Sequence, residues 1–215
     1  MVEKRDRIVV LASGGHDSNV LLAEMAKKYR VVFPVYIRCG LVWEKAEIYW
    51  LRRFLKMVRL AHHVPILQPL VILDSPVTDL QKNWSTTGKK IPGYSSRDEE
   101  VYLPGRNLLL LSKAATFCAL NKIHTIAIGS LSGNPFSDAS PKFFQEFGKA
   151  ASTALDFPIR IVAPFLRLKK KEVLQKGRGL PLHLSFSCLA PQGIKRCGRC
   201  NKCAERDKVV QKTSV

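Results

Sequence analysis

Apolar positions along this chain follow two rhythms in turn. Residues 7–12 (RIVVLA) form a short β-rich run, and residues 17–28 follow with Val20, Leu21 and Met25 at helical spacing. Residues 31–37 (VVFPVYI) read as a second strand in spite of Pro34. Trp43, Ala46, Trp50, Phe54, Met57 and Ala61 recur at steps of three and four, which predicts an amphipathic helix over 43–62. His62 and His63 close that helix, where cationic side chains complement its dipole. Residues 66–73 predict a third strand, with Pro69 inside it. Helices are expected over 106–120, 141–155 and 169–176, and strands over 125–129 and 159–163. Strand and helix in alternation predict an α/β fold: a doubly wound, parallel, five-stranded sheet with helices on both faces.

Residues 75–101 keep neither rhythm. They carry Gly, Ser, Thr, Asn and Pro and read as a long excursion, a candidate lid. At 215 residues and 46% apolar, the chain is long enough for one sizeable domain and too apolar for wholesale disorder. We expect a nucleotide-binding domain over 1–180 and a smaller cysteine-bearing segment over 181–215. Lys and Arg number 35 against 17 Asp and Glu, a net +18, which predicts an anionic partner: nucleotide, nucleic acid or anionic surface. No apolar stretch is long enough to span a bilayer, and the charged first residues do not resemble a signal peptide. A cytoplasmic location, away from membranes, is the expectation.

Chemistry concentrates in two places. The first is Ser13-Gly14-Gly15-His16-Asp17-Ser18, where strand one gives way to helix one. Two glycines permit a tight turn with N–H groups aimed inward, Ser13 and Ser18 add hydroxyls, and the helix presents its positive end. Such a turn is a nest for phosphate oxygens, and His16 sits within reach of it. Asp17 repels phosphate, so it reads as an N-terminal helix residue or as a ligand of Mg²⁺ bridging the phosphates. The plainer alternative is a Gly-rich turn with a helix cap. The pattern is neither GxGxxG nor GxxxxGKS, which disfavours a dehydrogenase and a Walker-type hydrolase.

The second is a cluster of four of the six cysteines: Cys188, Cys197, Cys200 and Cys203, spaced C-x8-C-x2-C-x2-C. Four thiolates close a tetrahedral Zn²⁺ site with no open position, hence a structural role. Free thiols or an iron–sulfur cluster are the competing readings. Of the remaining two, Cys118 shares a helix face with Leu111 and Ala115 and reads as a buried thiol, whereas Cys39 follows strand two near the expected nucleotide edge.

The Ser-Gly-Gly-His-Asp-Ser stretch resembles the signature of the PP-loop family, the N-type ATP pyrophosphatases, whose fold is adenine nucleotide alpha hydrolase-like and Rossmann-like. The resemblance implies that the loop holds the pyrophosphate end of ATP while AMP passes to a carbonyl oxygen or carboxylate. Further landmarks are Leu103-Pro104-Gly105-Arg106-Asn107, Ile126-Ala127-Ile128-Gly129 followed by Asp138, Pro164-Phe165-Leu166 with Lys170 and Glu172, and Ser187-Cys188. Together they resemble the 7-cyano-7-deazaguanine synthase branch, which serves queuosine and archaeosine biosynthesis.

That branch implies an ATP-dependent carbon–nitrogen ligase. It adenylates 7-carboxy-7-deazaguanine, lets ammonia displace AMP, and activates the amide again to reach the nitrile. The resemblance assigns Ser13, Gly14, Gly15, His16, Asp17 and Ser18 to the nucleotide. Asp17, Arg106 and Lys170 become catalytic candidates; a cation at the start of a helix, as Arg106 is, opposes the dipole and calls for an anionic ligand. Phe136 would stack a planar base and Asp138 would accept from a guanine-like amidine edge. A homodimer is also allowed. Two stretches depart from the branch: Arg38-Cys39-Gly40-Leu41-Val42-Trp43-Glu44 replaces its Gly-Gln-Arg-His-like element, and Ser140 stands where its substrate loop has arginine. Two alternatives therefore stand beside the first: the same chemistry on another carboxylate or a modified base, and a zinc-knuckle module that binds tRNA.

Overall fold

In the first strand, β1 (Arg5–Leu11), Ile8 and Val10 face one hydrophobic cluster while Val9 and Leu11 face another. β2 (Tyr29–Arg38) repeats the division, with Val32 and Tyr36 on the first side and Val35 and Ile37 on the second. A period of two that is apolar on both faces belongs to a sheet covered twice. The structure is a computed structural model and describes residues 5–61 and 66–213. His62 and His63 lie outside the described residues.

Five parallel strands run in the order β3-β2-β1-β4-β5, with β3 Val71–Asp74, β4 Thr125–Ala127 and β5 Arg160–Val162. Helices α1 (His16–Lys28) and α2 (Glu44–Ala61) cover one face; on the other lie α4 (Arg106–Leu120) and α5 (Pro141–Leu155), after the one-turn α3 (Trp84–Thr87). α6 (Lys170–Lys176) joins α1, and α7 (Asn201–Thr213) follows the cysteines. α5 opens as its sequence dictates, with Pro141 in the first turn and the Ser140 hydroxyl accepting from the Phe143 N–H at 3.1 Å. Because the chain winds outward from β1 in both directions, a crevice opens above the carboxyl ends of β1 and β4.

Two prolines shape the β2–β3 edge. Val32 bonds outward to residues 66 and 68, so Pro34, two positions on, turns its missing N–H to the same side. That side is a gap: one isolated bridge pairs Val32 with Leu67, and regular pairing resumes at Val35 with Val71. The strand expected over 66–73 is thus cut to four residues, with Pro69 in the interruption.

The excursion over 75–101 is docked and is not a free lid. Trp84 stacks on Trp43 with centroids 5.7 Å apart, and the Val42 N–H bonds the Ser85 carbonyl at 3.0 Å. Gly93 bridges Cys200, and the Asn201 side-chain amide donates to the Ser96 carbonyl at 2.8 Å. The excursion therefore braces the start of α7.

Candidate active site

The turn from β1 to α1 is held from three sides. Gly14 has φ +82°, and a Cβ there would come within 3.2 Å of the Glu47 carbonyl and 3.3 Å of the Leu51 Cβ on α2. Its own carbonyl accepts from the Phe186 N–H at 2.9 Å and from the Asn19 side chain at 3.2 Å. Asn19 also donates to Ser185 at 2.9 Å, so the segment just before Cys188 clamps the loop. Ser13 and Ser18 approach to 3.3 Å, and the Ser18 hydroxyl donates to the Gly15 carbonyl at 3.1 Å. No side chain caps the amino end of α1, whose first N–H groups face a cleft of about 310 Å³.

Charged groups from distant segments meet at the mouth of that loop. Lys170, the first residue of α6, donates to Asp17 Oδ2 at 2.7 Å and lies 3.3 Å from Glu205 on α7. Glu205 in turn pairs with Lys202 at 2.8 Å. Asp17 Oδ1 is buried with no partner. Burial holds the Asp17 carboxyl above the usual range against the pull of Lys170, while Glu205 is held down near 2, its burial outweighed by Lys202 and Lys170. Burial, together with the positive charges of Arg206 and Lys170, lowers His16 to about 3, so its imidazole in the cleft wall is neutral.

The opposite wall carries Tyr36, Trp43, Glu47 and Arg106. Gly105, at φ +68°, turns the chain so that α4 starts with Arg106 and Asn107 at the cleft. Arg106 is half-buried, and its Nε is buried without a partner. Glu47 accepts from the Tyr36 hydroxyl at 2.6 Å, and burial lifts its carboxyl to about 7 against the pull of Arg106.

Two expected substrate contacts sit elsewhere. Asp138 is buried and its Oδ2 accepts the Asn107 backbone N–H at 2.9 Å, while the Asn107 amide donates to the Asp138 carbonyl at 3.1 Å. A carboxylate at a helix amino end is well placed, and this one is spent fastening the 130–140 loop to α4. Phe136 stacks on Tyr102 at 4.8 Å. Neither lines the cleft; Asn107 and Asn134 do. Sequence reasoning passed over these, and also Glu47, Lys202 and Glu205. A signal existed for the last two: Lys202 and Glu205 stand three apart, just after Cys200, and so share a helix face.

The four cysteines converge. All four Sγ atoms lie within 4.8 Å of one another, with Cys200–Cys203 at 3.6 Å and Cys197–Cys203 and Cys200–Cys188 at 4.0 Å. Four sulfurs about 2.3 Å from a tetrahedral metal stand about 3.8 Å apart, so the cluster fits a mononuclear ion. The Leu189 and Cys197 N–H groups point at Cys200 and Cys188, both at 3.3 Å, as thiolates require. Cys39 and Cys118 are buried apart from it, and burial pushes their thiols up to about 11 and 12, away from the thiolate form.

Comparison with known proteins gives the family. The family model described as queuosine biosynthesis protein QueC matches residues 7–214. A 7-cyano-7-deazaguanine synthase of Leptospira interrogans is 31% identical, over 98% of this chain and 88% of its own. The 7-cyano-7-deazaguanine synthase 1 of Desulfitobacterium hafniense is 30% identical, over 96% and 92%. Among solved structures, the U34-tRNA thiolase NcsA from Methanococcus maripaludis shares the fold at a TM-score of 0.52 and 13% identity, over 98% of this chain and 67% of that one. Among the described residues no helix is long and apolar enough to cross a membrane. With the family model matched from within β1 through the end of α7, the chain belongs to the family of queuosine biosynthesis protein QueC.

Proposed function

We propose that this protein is an ATP-dependent carbon–nitrogen ligase that converts 7-carboxy-7-deazaguanine to 7-cyano-7-deazaguanine with ammonia as the nitrogen source. One observation carries the reading within this family: the uncapped amino end of α1 and the Gly14–Gly15 turn face a cleft that also holds a buried, unpartnered carboxylate oxygen of Asp17.

A carboxylate oxygen leaves poorly and AMP leaves well, so the cleft must stabilise charge on the transferred phosphoryl group and on departing pyrophosphate. Ser13, the Gly15 N–H and Ser18 hold the pyrophosphate, with the neutral His16 beside them. Asp17 gives one oxygen to Lys170 and keeps the other for Mg²⁺. Bound there, Mg²⁺ neutralises phosphate oxygens. Lys170 orients Asp17, and Arg106 faces the acid or the α-phosphate from the far wall. Zn²⁺ is the ion we assign to the four thiolates; when bound it contributes folding free energy and leaves no coordination position for substrate.

A second reading keeps this chemistry and changes the acid. It rests on Phe136 and Asp138, which do not line the cleft, and on the changed 38–44 stretch. The deciding experiment incubates the protein with Mg-ATP, ammonium and 7-carboxy-7-deazaguanine, alongside a panel of other planar acids. Amide and nitrile by mass spectrometry, with AMP and pyrophosphate released, are expected. No product from the deazaguanine acid while ATP binding is intact removes the first reading; product from another acid installs the second.

A further inference from the structure

We propose that Lys202, carried on the helix that grows out of the four-cysteine site, is a ligand of the ATP phosphates, and that Glu205 is the positioning residue that registers it beside Lys170. The proposal rests on the ATP-cleft reading and adds the C-terminal segment to the phosphate machinery.

The charge arrangement carries it. At the mouth of the loop Asp17 and Glu205 are matched by Lys170 and Lys202, so the formal charges of this quartet cancel. Incoming phosphates need a cation that can turn toward them. Lys170 is held by two carboxylates, at 2.7 and 3.3 Å, with its side chain 24% exposed. Arg206 is buried, with Nη1 bonded to the Ser185 carbonyl at 2.7 Å. Lys202 has one carboxylate contact, at 2.8 Å, and a side chain 34% exposed in the cleft wall. A lysine on a flexible stem with a single partner can swing to a phosphate oxygen while Glu205 keeps hold of Lys170.

The helix explains why this side chain is dependable. α7 starts at Asn201, between Cys200 and Cys203, and Gly93 and the Ser96 carbonyl of the 75–101 excursion brace it. Fixing the two thiols fixes the rotation of the helix, and hence where Lys202 and Glu205 emerge. The cysteine site thereby sets the geometry of the phosphate corner as well as the stability of the segment.

The test is calorimetric titration of full-length, metal-replete protein with magnesium pyrophosphate and with Mg-ATP, without acceptor acid. Loss of one charge-assisted contact predicts that Lys202→Gln weakens pyrophosphate binding about tenfold or more, with a shallower salt dependence. Lys171→Gln, on the exposed side of α6, stays at the wild-type value. Metal content and melting temperature stay unchanged in both. Glu205→Gln splits the parameters: affinity stays within about threefold, because a repelling carboxylate has gone, whereas kcat for acid-dependent pyrophosphate release falls about tenfold from lost registry. Wild-type affinity in Lys202→Gln, or wild-type kcat in Glu205→Gln, overturns the proposal and leaves the ATP reading standing. Wild-type protein that binds neither pyrophosphate nor Mg-ATP overturns both.

Discussion

Lys170 Nζ lies 2.7 Å from Asp17 Oδ2, joining the first turn of α6 to the first turn of α1 across 153 positions of sequence. Burial raises the Asp17 carboxyl even with that ammonium beside it, so the charge is held at a cost to the fold. Asp17→Asn therefore keeps or raises the melting temperature while adenylation falls about 100-fold or more, the scale of losing a preorganised electrostatic group. Acid-dependent ATP–pyrophosphate exchange, run beside a thermal melt, checks both halves; retained exchange removes the metal-binding role.

Gly14 and Gly15 are adjacent and have different reasons to be glycine. At Gly14 a side chain meets positive φ and the Glu47 carbonyl at 3.2 Å, whereas Gly15 has φ −69° and its nearest neighbour would be the Ser187 hydroxyl at 3.4 Å. Gly14→Ala should cost about 2 kcal/mol or more and lower the melting temperature by roughly 4–8 °C. Gly15→Ala should stay within about 0.5 kcal/mol of wild type, as substitutions free of strain do. Equal losses at the two positions would contradict this account.

The turn over 13–18 and the thiol cluster were legible because their chemistry is local: two glycines, two hydroxyls, four close cysteines. The sheet was legible from its apolar runs, apart from β3, which Pro69 shortens. What escaped depends on where the chain returns. Nothing near Glu47 announces that α2 will press it against Tyr36 at the cleft wall, and Lys202 gains meaning only when α7 lands on Lys170. The contact made by Asp138 was hidden for the same reason, since its partner is the backbone of Asn107, 31 positions away.

That reassignment is testable. If Asp138 fastens a loop to the amino end of α4, Asp138→Ala costs about 1–2 kcal/mol in denaturant unfolding, as lost helix caps do. Its effect on KM for the acid should be smaller than that of Asn134→Ala, which changes the cleft wall itself. A large KM effect with unchanged stability would restore Asp138 to base recognition.

The cysteine site gives the largest stability effect. Cys200 and Cys203 stand 3.6 Å apart, and Cys200 is buried. Cys200→Ser should release the metal and lower the melting temperature by about 10 °C or more, because binding to such a site is folding free energy. Metal analysis and a thermal melt decide it: a stoichiometric ion retained by the variant, or an unchanged melt after chelation of wild type, rules out a structural centre.

Glu47 makes stability depend on pH in the sense opposite to a salt-bridged carboxylate. Burial raises it from the ordinary 4.5 to about 7, more than Arg106 and the Tyr36 hydroxyl can reverse. A folded-state pKa above the unfolded one means that the native protein binds the extra proton. Its contribution is complete below about pH 4.5, declines as pH rises, and is lost above about 7. The difference across that window is on the order of 3 kcal/mol. Gln keeps an acceptor for the Tyr36 hydroxyl and cannot ionise, so Glu47→Gln should flatten this part of the profile. Asp17 is raised as well and contributes with the same sign, so the wild-type slope alone is ambiguous and the difference between the two proteins isolates Glu47. Urea unfolding of both at pH 5 and pH 7.5 supplies that difference. Parallel pH profiles would mean that Glu47 carries its charge in the folded cleft at no cost.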